Sequence, residues 1–370
     1  MTLMSAEAGW TASEHRLFWT SDGGAQWRDI TPASQDEKGI ASVFFLDGAI
    51  GWALLSEFNY EKGKVQFDLA STTDTGATWS VRPFKPPVPA FYDLTSYGQI
   101  QFVDSIHGWI MLSAVNSSAC ILLRTEDGGR TWSRLSGNCP SGRIRFSSAS
   151  DGWIASQNGI EDGLYATHDR GLTWQRVPLK TPADVGAADA PTYGLPRFVD
   201  HQHGFLPMMF SGPETNSKMA LFSTDDGGNL WKLAKLFALD EQFTTDQRVP
   251  SVVIDQSWLT MQASGQTLSL IVVTLGKDLT PQIIRADAHA TIQPTFLENR
   301  LVIGSPVDDL SFVSPSHGWV LVSSSPCAMG MTGCSQLLST TDGGHTWVNV
   351  TPPEAKGRHD GITPIKDYRP

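Results

Sequence analysis

Four arginine side chains are the residues whose type and spacing point most directly to binding chemistry. They occur in short extended runs such as Arg143-Ile144-Arg145-Phe146, where alternation places them on the face opposite the apolar residues. The planar guanidinium group suits carboxylates and phosphates. These arginines predict a site for an anion or an acidic peptide; pairing with neighbours such as Asp309, or with water, is the alternative that the sequence leaves open. The four are Arg143, Arg145, Arg197 and Arg248.

The four cysteines form two local pairs. Cys120 and Cys139 lie on either side of a turn motif, so they face each other if the flanking segments form a hairpin. Cys327 and Cys334 bracket a short loop. Neither pair has the spacing that zinc sites prefer, so we expect two disulfides rather than a metal site. Two disulfides in turn predict an oxidising compartment.

The histidines could suggest a metal site or a catalytic base. His107, His203 and His317 each precede the glycine of a Gly-Trp or Gly-Phe pair, so they occupy equivalent points of a repeat. Equivalent points of successive repeats lie far apart around a ring and cannot converge on one ion. We therefore predict no metal, no cofactor and no catalytic residue.

The elements that position these residues follow from two alternating signatures. The first is an extended apolar run ending in Gly-Trp or a variant of it, and the second is T-x-D-x-G-x-T-W, known as the Asp-box. The second signature is complete in four copies, has one departure in two copies and is eroded at Arg285–Ile292. Its aspartates, spaced 42 to 61 residues apart, are Asp22, Asp74, Asp127, Asp169, Asp226, Asp287 and Asp342. That period is typical of one propeller blade.

One repeat shows how the strands are expected to run. The third repeat predicts strands at Gln99–Val103, Gly108–Ala114, Cys120–Thr125 and Arg130–Leu135, and its Asp-box forms the tight turn between the last two strands. The whole chain thus predicts an all-β, seven-bladed β-propeller with four antiparallel strands per blade, followed by a tail at 351–370. The expected blades cover approximately residues 1–30, 40–83, 97–136, 141–178, 193–236, 247–295 and 306–350.

The quoted boxes resemble the BNR repeats of sialidases and related proteins. The combined units "FVDSIHGWIML…LLRTEDGGRTW" and "FVSPSHGWVLV…LLSTTDGGHTW" resemble most the photosystem II stability/assembly factor-like propellers. The resemblance extends to about Val350 and implies a seven-bladed exported propeller. It further implies a role in assembling a membrane complex in photosynthetic members, and an arginine-rich patch on those proteins. Because unrelated functions share this repeat, it implies architecture more firmly than activity.

A sialidase-like carbohydrate-active enzyme or glycan-binding lectin is the alternative function. A sialidase needs an Arg-Ile-Pro signature near its start, and the nearest strings here are mid-chain, at Arg176-Val177-Pro178 and Arg248-Val249-Pro250. Related glycoside hydrolases place two carboxylates in a cleft between two propellers, which a single propeller cannot form. We therefore expect a non-enzymatic scaffold that binds a protein or peptide partner, through the mouth of a central propeller channel that the four arginines line.

The composition limits the classes of partner and the cellular compartment that we expect. The net charge of −11 argues against general binding to nucleic acid or to an anionic membrane. No apolar run is long enough to span a bilayer, and the first residues do not read as a signal peptide. We expect a monomeric exported protein, periplasmic, on the cell surface or extracellular, whose targeting segment is absent from this sequence.

Overall fold

The structure, a computed structural model, consists of β-strands joined by tight turns in the residues that it describes. Those residues are 1–13, 15–33, 38–60, 63–115, 117–137, 139–156, 162–186, 189–198, 200–211, 218–238, 259–264, 267–275, 281–287, 292–296, 307–314, 316–324 and 334–352. The predicted tail lies almost entirely outside these ranges.

The chain divides into two compact units, which are described separately. The first contains Ala8–Val177, and the second contains Met1–Glu7 with Pro178–Pro353. The strands form antiparallel sheets in which most chain neighbours are hydrogen-bonded, as expected for blades built from hairpins.

Sheets 1 to 4 take up the amino-terminal part of the chain. Sheet 1 consists of β1 (Thr2–Leu3), β2 (Gly9–Ala12), β3 (Leu17–Thr20) and β4 (Arg28–Asp29); sheet 2 of β5 (Gly39–Phe45), β6 (Gly51–Asn59), β7 (Lys64–Thr72) and β8 (Ser80–Phe84); sheet 3 of β9 (Leu94–Phe102), β10 (Gly108–Ala114), β11 (Ser117–Thr125) and β12 (Ser133–Arg134); and sheet 4 of β13 (Arg143–Phe146), β14 (Gly152–Ser156), β15 (Gly163–Thr167) and β16 (Gln175–Arg176).

Sheets 5 to 7 belong to the second unit. Sheet 5 consists of β17 (Ala190–Tyr193), β18 (Arg197–Phe198), β19 (Gly204–Ser211), β20 (Lys218–Thr224) and β21 (Lys232–Ala238); sheet 6 of β22 (Leu259–Ser264), β23 (Thr267–Leu275), β24 (Pro281–Asp287) and β25 (Ile292–Phe296); and sheet 7 of β26 (Val307–Phe312), β27 (Gly318–Ser324), β28 (Cys334–Thr340) and β29 (Val348–Asn349). Within this unit, the backbone N–H of Leu3 donates to Ser311 Oγ at 2.9 Å.

An all-β architecture of antiparallel four-stranded propeller blades is confirmed, but the number of such blades is not. The prediction of seven four-stranded blades is wrong, because six sheets have four strands and sheet 5 has five. In sheet 5 the expected first strand is split into β17 and β18, which both pair with β19. The interruption falls at Gly194–Pro196, where Pro196 has no N–H to give to a strand ladder.

Strand lengths in sheet 3 differ from those expected at several ends. β9 begins five residues before the predicted Gln99, and β11 begins at Ser117 rather than at Cys120. β12 contains two residues where six were predicted, because Arg130 to Trp132 still belong to the Asp-box turn. β10 has the predicted bounds, Gly108–Ala114.

In sheets 2, 3, 4 and 7 the glycine of the Gly-Trp pair is required by a phenylalanine on the preceding strand. A Cβ atom added to Gly108 would lie 2.5 Å from Cε1 of Phe102, and one added to Gly152 would lie 2.6 Å from the ring of Phe146. Gly108 pairs with Phe102 across the β9–β10 ladder, so the ring lies directly over the glycine. The Gly-Trp signature is therefore a packing motif whose third member is a phenylalanine.

The tryptophan of the same pair joins consecutive sheets. Trp52 of sheet 2 stacks on Phe102 of sheet 3, with ring centroids 3.6 Å apart, and its Nε1 donates to Gly128 O at 3.2 Å. Trp109 repeats the arrangement on sheet 4 by stacking on Phe146. Both indoles are buried, and burial of so large an apolar side chain stabilises by roughly 2–3 kcal/mol. The core of this unit thus runs from sheet to sheet through its tryptophans.

Candidate functional site

Arg143 and Arg145 lie on β13, the first strand of sheet 4. In the ladder with β14 they pair with Ala155 and Trp153, and the residues between and after them, Ile144 and Phe146, are buried. Both arginines are half-buried, on the opposite face of the strand. Residues two apart on a strand are about 7 Å apart, so the two guanidinium groups can reach the two carboxylates of one extended ligand.

Two glutamines on the neighbouring sheet hold this strand in place. Gln99 Nε2 donates to Gly142 O at 3.0 Å, and Gln99 Oε1 accepts from the N–H of Ile144 at 3.1 Å. Gln101 makes the same pair of bonds with Phe146. Its Nε2 donates to Phe146 O at 2.7 Å, and its Oε1 accepts from the N–H of Phe146 at 2.9 Å. The amide groups therefore satisfy the edge of β13 that its own sheet leaves unpaired.

The sequence analysis missed this bridging role. Gln99 and Gln101 occupy the same positions of the repeat as Arg143 and Arg145, and Ser42 of sheet 2 is placed likewise. Ser42 Oγ accepts from the N–H of Ile100 at 3.2 Å, so it too connects one first strand to the next. The sequence signal for this bridging role is a polar side chain at both of these positions in one repeat, on a strand whose other face is apolar.

The other two predicted arginines are placed differently. Arg197 is exposed at the start of β18, opposite Phe205 of β19, in the second unit. Arg248 lies outside the described residues. The structure therefore brings together Arg143 and Arg145, and the four-arginine cluster stays a prediction.

The aspartates of the second signature organise tight turns. In sheet 3 the hydroxyl of Thr125 donates to Asp127 Oδ1 at 2.8 Å, and the Thr131 hydroxyl donates to Asp127 Oδ2 at 2.6 Å. The N–H of Gly129, which has a φ of 86°, donates to Thr125 Oγ1 at 2.9 Å. A left-handed backbone explains the glycine at that position. The same hydrogen bonding of threonine to aspartate recurs at Asp22, Asp74, Asp169, Asp226 and Asp342.

These hydrogen bonds favour the ionised carboxylate. At Asp74 the side-chain and backbone donors of Thr78, followed by Thr72, lower the pKa to about 2. At Asp127 partial burial opposes ionisation, but the donors of Thr131 and Thr125 outweigh it and lower the pKa to about 2. A carboxylate whose oxygens already accept several hydrogen bonds from its own turn is poorly suited to acid–base catalysis. Asp287, assigned to the eroded copy, is the last residue of β24.

The three histidines of the repeat make side-chain contacts within turns between strands. His107 Nδ1 lies 2.7 Å from Asp104 Oδ2, and His203 Nδ1 lies 2.8 Å from Asp200 Oδ2, in both cases three residues along the chain. His317 Nδ1 contacts Ser314 Oγ at 3.1 Å. The pairs repeat at equivalent turns, as expected of structural contacts.

A serine, aspartate and histidine also meet on sheet 4. Ser148 and Ser150 donate to Asp151 Oδ2 at 2.6 and 2.7 Å, and His168 Nδ1 lies 2.8 Å from Asp151 Oδ1. A nucleophilic triad needs the serine hydroxyl on the imidazole, with the carboxylate behind it. Here the carboxylate takes the central position, so this arrangement closes a turn rather than activating a serine.

One predicted disulfide is present. Cys120 is linked to Cys139 with a Cα–Cα distance of 5.5 Å, and both residues are buried. The predicted Cys327–Cys334 pair lies outside the residues whose side chains the structure describes.

Within the described part of the chain, no group of three or more His, Cys, Asp or Glu side chains is placed to hold a metal ion. The same residues include no helix of the length and apolarity needed to cross a membrane.

Comparisons with solved structures find several similar folds. The structure of YCF48 bound to D1 peptide is 18% identical, with a TM-score of 0.50 and coverage of 87% of this chain and 88% of that one. YCF48 from Cyanidioschyzon merolae is 14% identical, with a TM-score of 0.48 and coverage of 86% of both chains. A GH74 enzyme of Niastella koreensis is 12% identical, with a TM-score of 0.46 and coverage of 84% of this chain and 45% of that one. At such identities the likeness concerns the fold alone.

A family model matches part of the sequence. Residues 90–188 match the model described as photosynthesis system II assembly factor YCF48, and this span contains all of sheets 3 and 4. A comparison with curated proteins finds no match. The family match at 90–188 confirms the resemblance that the repeats predict, namely to the photosystem II stability/assembly factor-like propellers.

Proposed function

We propose that this protein is a non-enzymatic propeller that binds an acidic segment of a protein or peptide partner during assembly of a larger complex. The observation that carries the proposal is the pair Arg143 and Arg145, on one face of β13, within the span that matches the YCF48 family model. YCF48 has been solved with a D1 peptide bound, which gives a precedent for a peptide as the ligand. The arginines lie on a protein whose net charge is −11, so an acidic ligand needs such a local cationic surface.

Arginine pairs recognise carboxylates with more geometric specificity than lysines do, because the guanidinium fork binds them through two parallel hydrogen bonds. The bonds from Gln99 and Gln101 fix the backbone of the strand that carries the pair. A fixed strand reduces the entropy that is lost when a ligand binds.

Binding can be measured by fluorescence anisotropy with defined peptides. The probes are the D1 peptide, a peptide of four Glu-Gly-Ser repeats and its Lys-Gly-Ser counterpart. We expect the acidic peptide to bind with an affinity that falls as salt is added, and the lysine peptide not to bind. The double variant Arg143→Gln/Arg145→Gln copies the glutamines of β9 and should weaken binding at least tenfold, about 1.4 kcal/mol.

The matched control removes the same charge elsewhere. Arg130→Gln/Arg176→Gln changes two exposed arginines beside the Asp-box turns and should leave affinity within about twofold, since exposed charges at a distance are screened. Equal loss in both double variants would mean that net charge, rather than β13, determines binding. Equal binding of the glutamic acid and lysine peptides would contradict the proposal.

We also propose that the protein works in an oxidising, exported compartment. Support comes from the buried Cys120–Cys139 disulfide, since such bonds persist outside the reducing cytosol. Fractionation of the native host, with the thiol state of the purified protein measured by intact mass, tests this. Recovery from the cytosolic fraction with free Cys120 would contradict it.

A further inference from the structure

Several large apolar side chains are exposed together on sheets 2 and 3. Tyr60 and Phe91 are 89% and 70% exposed, and Val115 is 74% exposed. Phe58 and Tyr97 are partly exposed beside them. We call these five residues the aromatic shelf. Single exposed apolar residues are ordinary on protein surfaces, whereas a contiguous set marks a binding surface.

Hydrogen bonds join the segments that carry the shelf. Lys64 Nζ, at the hairpin that carries Phe58 and Tyr60, donates to Ala90 O at 3.2 Å, next to Phe91. The N–H of Val115 donates to Asp93 O at 2.8 Å. Ser56 Oγ donates to Ser96 O at 2.7 Å, which places the same hairpin beside Tyr97.

The shelf is also held in shape before any ligand arrives. Arg134 stacks over the ring of Tyr92 at 5.0 Å and donates to its hydroxyl at 3.1 Å, and Tyr92 contacts Phe91 at a centroid distance of 4.6 Å. Phe58 and Tyr60 meet edge to face at 5.1 Å. Aromatic side chains held in this way bind at low entropic cost, which is why Tyr and Arg dominate binding hot spots.

The charges around the shelf favour an acidic occupant. Lys64 and Arg134 are exposed next to it, and Glu57 and Asp93 are the anionic residues described there. These described charges balance, on a protein whose net charge is −11. An acidic segment therefore meets less repulsion here than over the protein as a whole.

Tyr97 connects the shelf to the arginines of the proposed function. It lies two residues before Gln99 on β9, and Gln99 is bonded to the backbone beside Arg143. A strand advances about 3.3 Å per residue, so an extended peptide of about four to six residues covers Tyr97 and reaches the arginines.

We propose that the aromatic shelf takes the apolar side chains of an extended acidic peptide whose carboxylates bind Arg143 and Arg145. This inference rests on the proposed function and adds its partner class: an acidic segment that also carries proline or leucine residues. Such side chains pack on exposed aromatic rings, as in the recognition of extended proline-containing segments.

The test compares two acidic peptides by fluorescence anisotropy. One has four Glu-Pro-Leu repeats and the other has four Glu-Gly-Ser repeats, so they share charge and length and differ in apolar content. We expect the Glu-Pro-Leu peptide to bind at least tenfold more tightly. Tyr60→Ser/Phe91→Ser should remove that advantage and leave the Glu-Gly-Ser affinity unchanged. Both substituted side chains are highly exposed, so folding is preserved, and Leu172→Ser, at an exposed leucine of sheet 4, is the control.

Each outcome distinguishes this inference from the proposed function. If Tyr60→Ser/Phe91→Ser leaves both peptides unaffected while Arg143→Gln/Arg145→Gln weakens both, the shelf has no role and the proposed function stands. If the arginine variant has no effect on the Glu-Gly-Ser peptide, the proposed function fails. Binding of a neutral xyloglucan oligosaccharide, lost in the shelf variant and without peptide binding, would assign the shelf to glycans and overturn the inference.

Discussion

The indole of Trp109 lies parallel to the ring of Phe146 on the next sheet, with centroids 3.6 Å apart and 6° between the planes. Trp109 Nε1 also donates to Arg170 O at 3.1 Å, in the turn that follows β15. One side chain therefore connects sheet 3 both to the first strand of sheet 4 and to its Asp-box turn. The same geometry at Trp52 and Phe102 shows that the connection is a property of the repeat.

Removing either ring should weaken the first unit, which contains sheets 2 to 4. We expect Trp109→Ala and Phe146→Ala each to lower the free energy of unfolding by about 3–5 kcal/mol. The double variant should be less destabilised than the sum by about 0.5–1.5 kcal/mol, because aromatic pairs contribute that much beyond burial. Urea denaturation of the four proteins measures the coupling, and strict additivity would show that the stacking contributes nothing.

The bridge from Gln101 to β13 gives a second prediction. Gln101→Glu keeps the size of the side chain but has no N–H for Phe146 O, which leaves that carbonyl facing a carboxylate. We expect stability at neutral pH to fall by about 1–3 kcal/mol, the usual cost of an unsatisfied buried polar group. The Phe146 amide should then exchange faster with deuterium, and partial recovery is expected at acid pH, where the carboxyl regains a donor. Unchanged exchange at Phe146 would contradict the bridging role.

The sequence predicts the repeating parts of this fold well and its irregular parts poorly. The Gly-Trp and Asp-box signatures locate the strands and turns because each needs a particular residue, such as glycine at a left-handed φ. The split between β17 and β18 was missed, although Pro196 and Gly194 signalled it. The bridging glutamines were also missed, since strand alternation shows which face a side chain occupies but not which neighbour it reaches. The aromatic shelf depends on segments from two sheets that the chain alone does not bring together.

The Asp-box carboxylates predict a pH dependence with a definite sign. Asp74 has a pKa of about 2 in the folded protein, below its ordinary value of about 4. Its contribution to stability is therefore fully present above about pH 4–5 and is lost as the pH falls through about 2. Asp74→Asn should lower the urea midpoint at pH 7 and have a smaller effect near pH 2.

A companion variant separates the hydrogen bond from other effects. The Thr78 hydroxyl donates to Asp74 Oδ2 at 2.6 Å, so Thr78→Val should raise the pKa of Asp74 towards its ordinary value. Carboxyl chemical shifts followed by NMR across the acid range measure this directly. A pKa unaffected by Thr78→Val would mean that the turn's hydroxyl donor does not stabilise the carboxylate.

The Cys120–Cys139 bond should stabilise the first unit measurably. It closes a loop with a sequence separation of 19 residues, for which loop-closure entropy gives about 3 kcal/mol. We expect Cys120→Ser/Cys139→Ser to lower stability by about that amount and to lower Tm correspondingly. Thermal unfolding with and without reductant should reproduce the difference in the wild-type protein alone. A wild-type Tm unaffected by reductant, with four free thiols by mass, would contradict the assignment.

The claim that β13 receives an acidic peptide is tested most directly by locating that peptide on the protein. A Glu-Gly-Ser repeat peptide carrying a photoreactive diazirine can be crosslinked to the wild-type protein and the linked residues identified by mass spectrometry. The account predicts crosslinks to β9 and β13, around Gln99 to Gln101 and Arg143 to Arg145, and their loss in Arg143→Gln/Arg145→Gln. Crosslinks confined to the Asp-box turns, or unchanged in that variant, would contradict it.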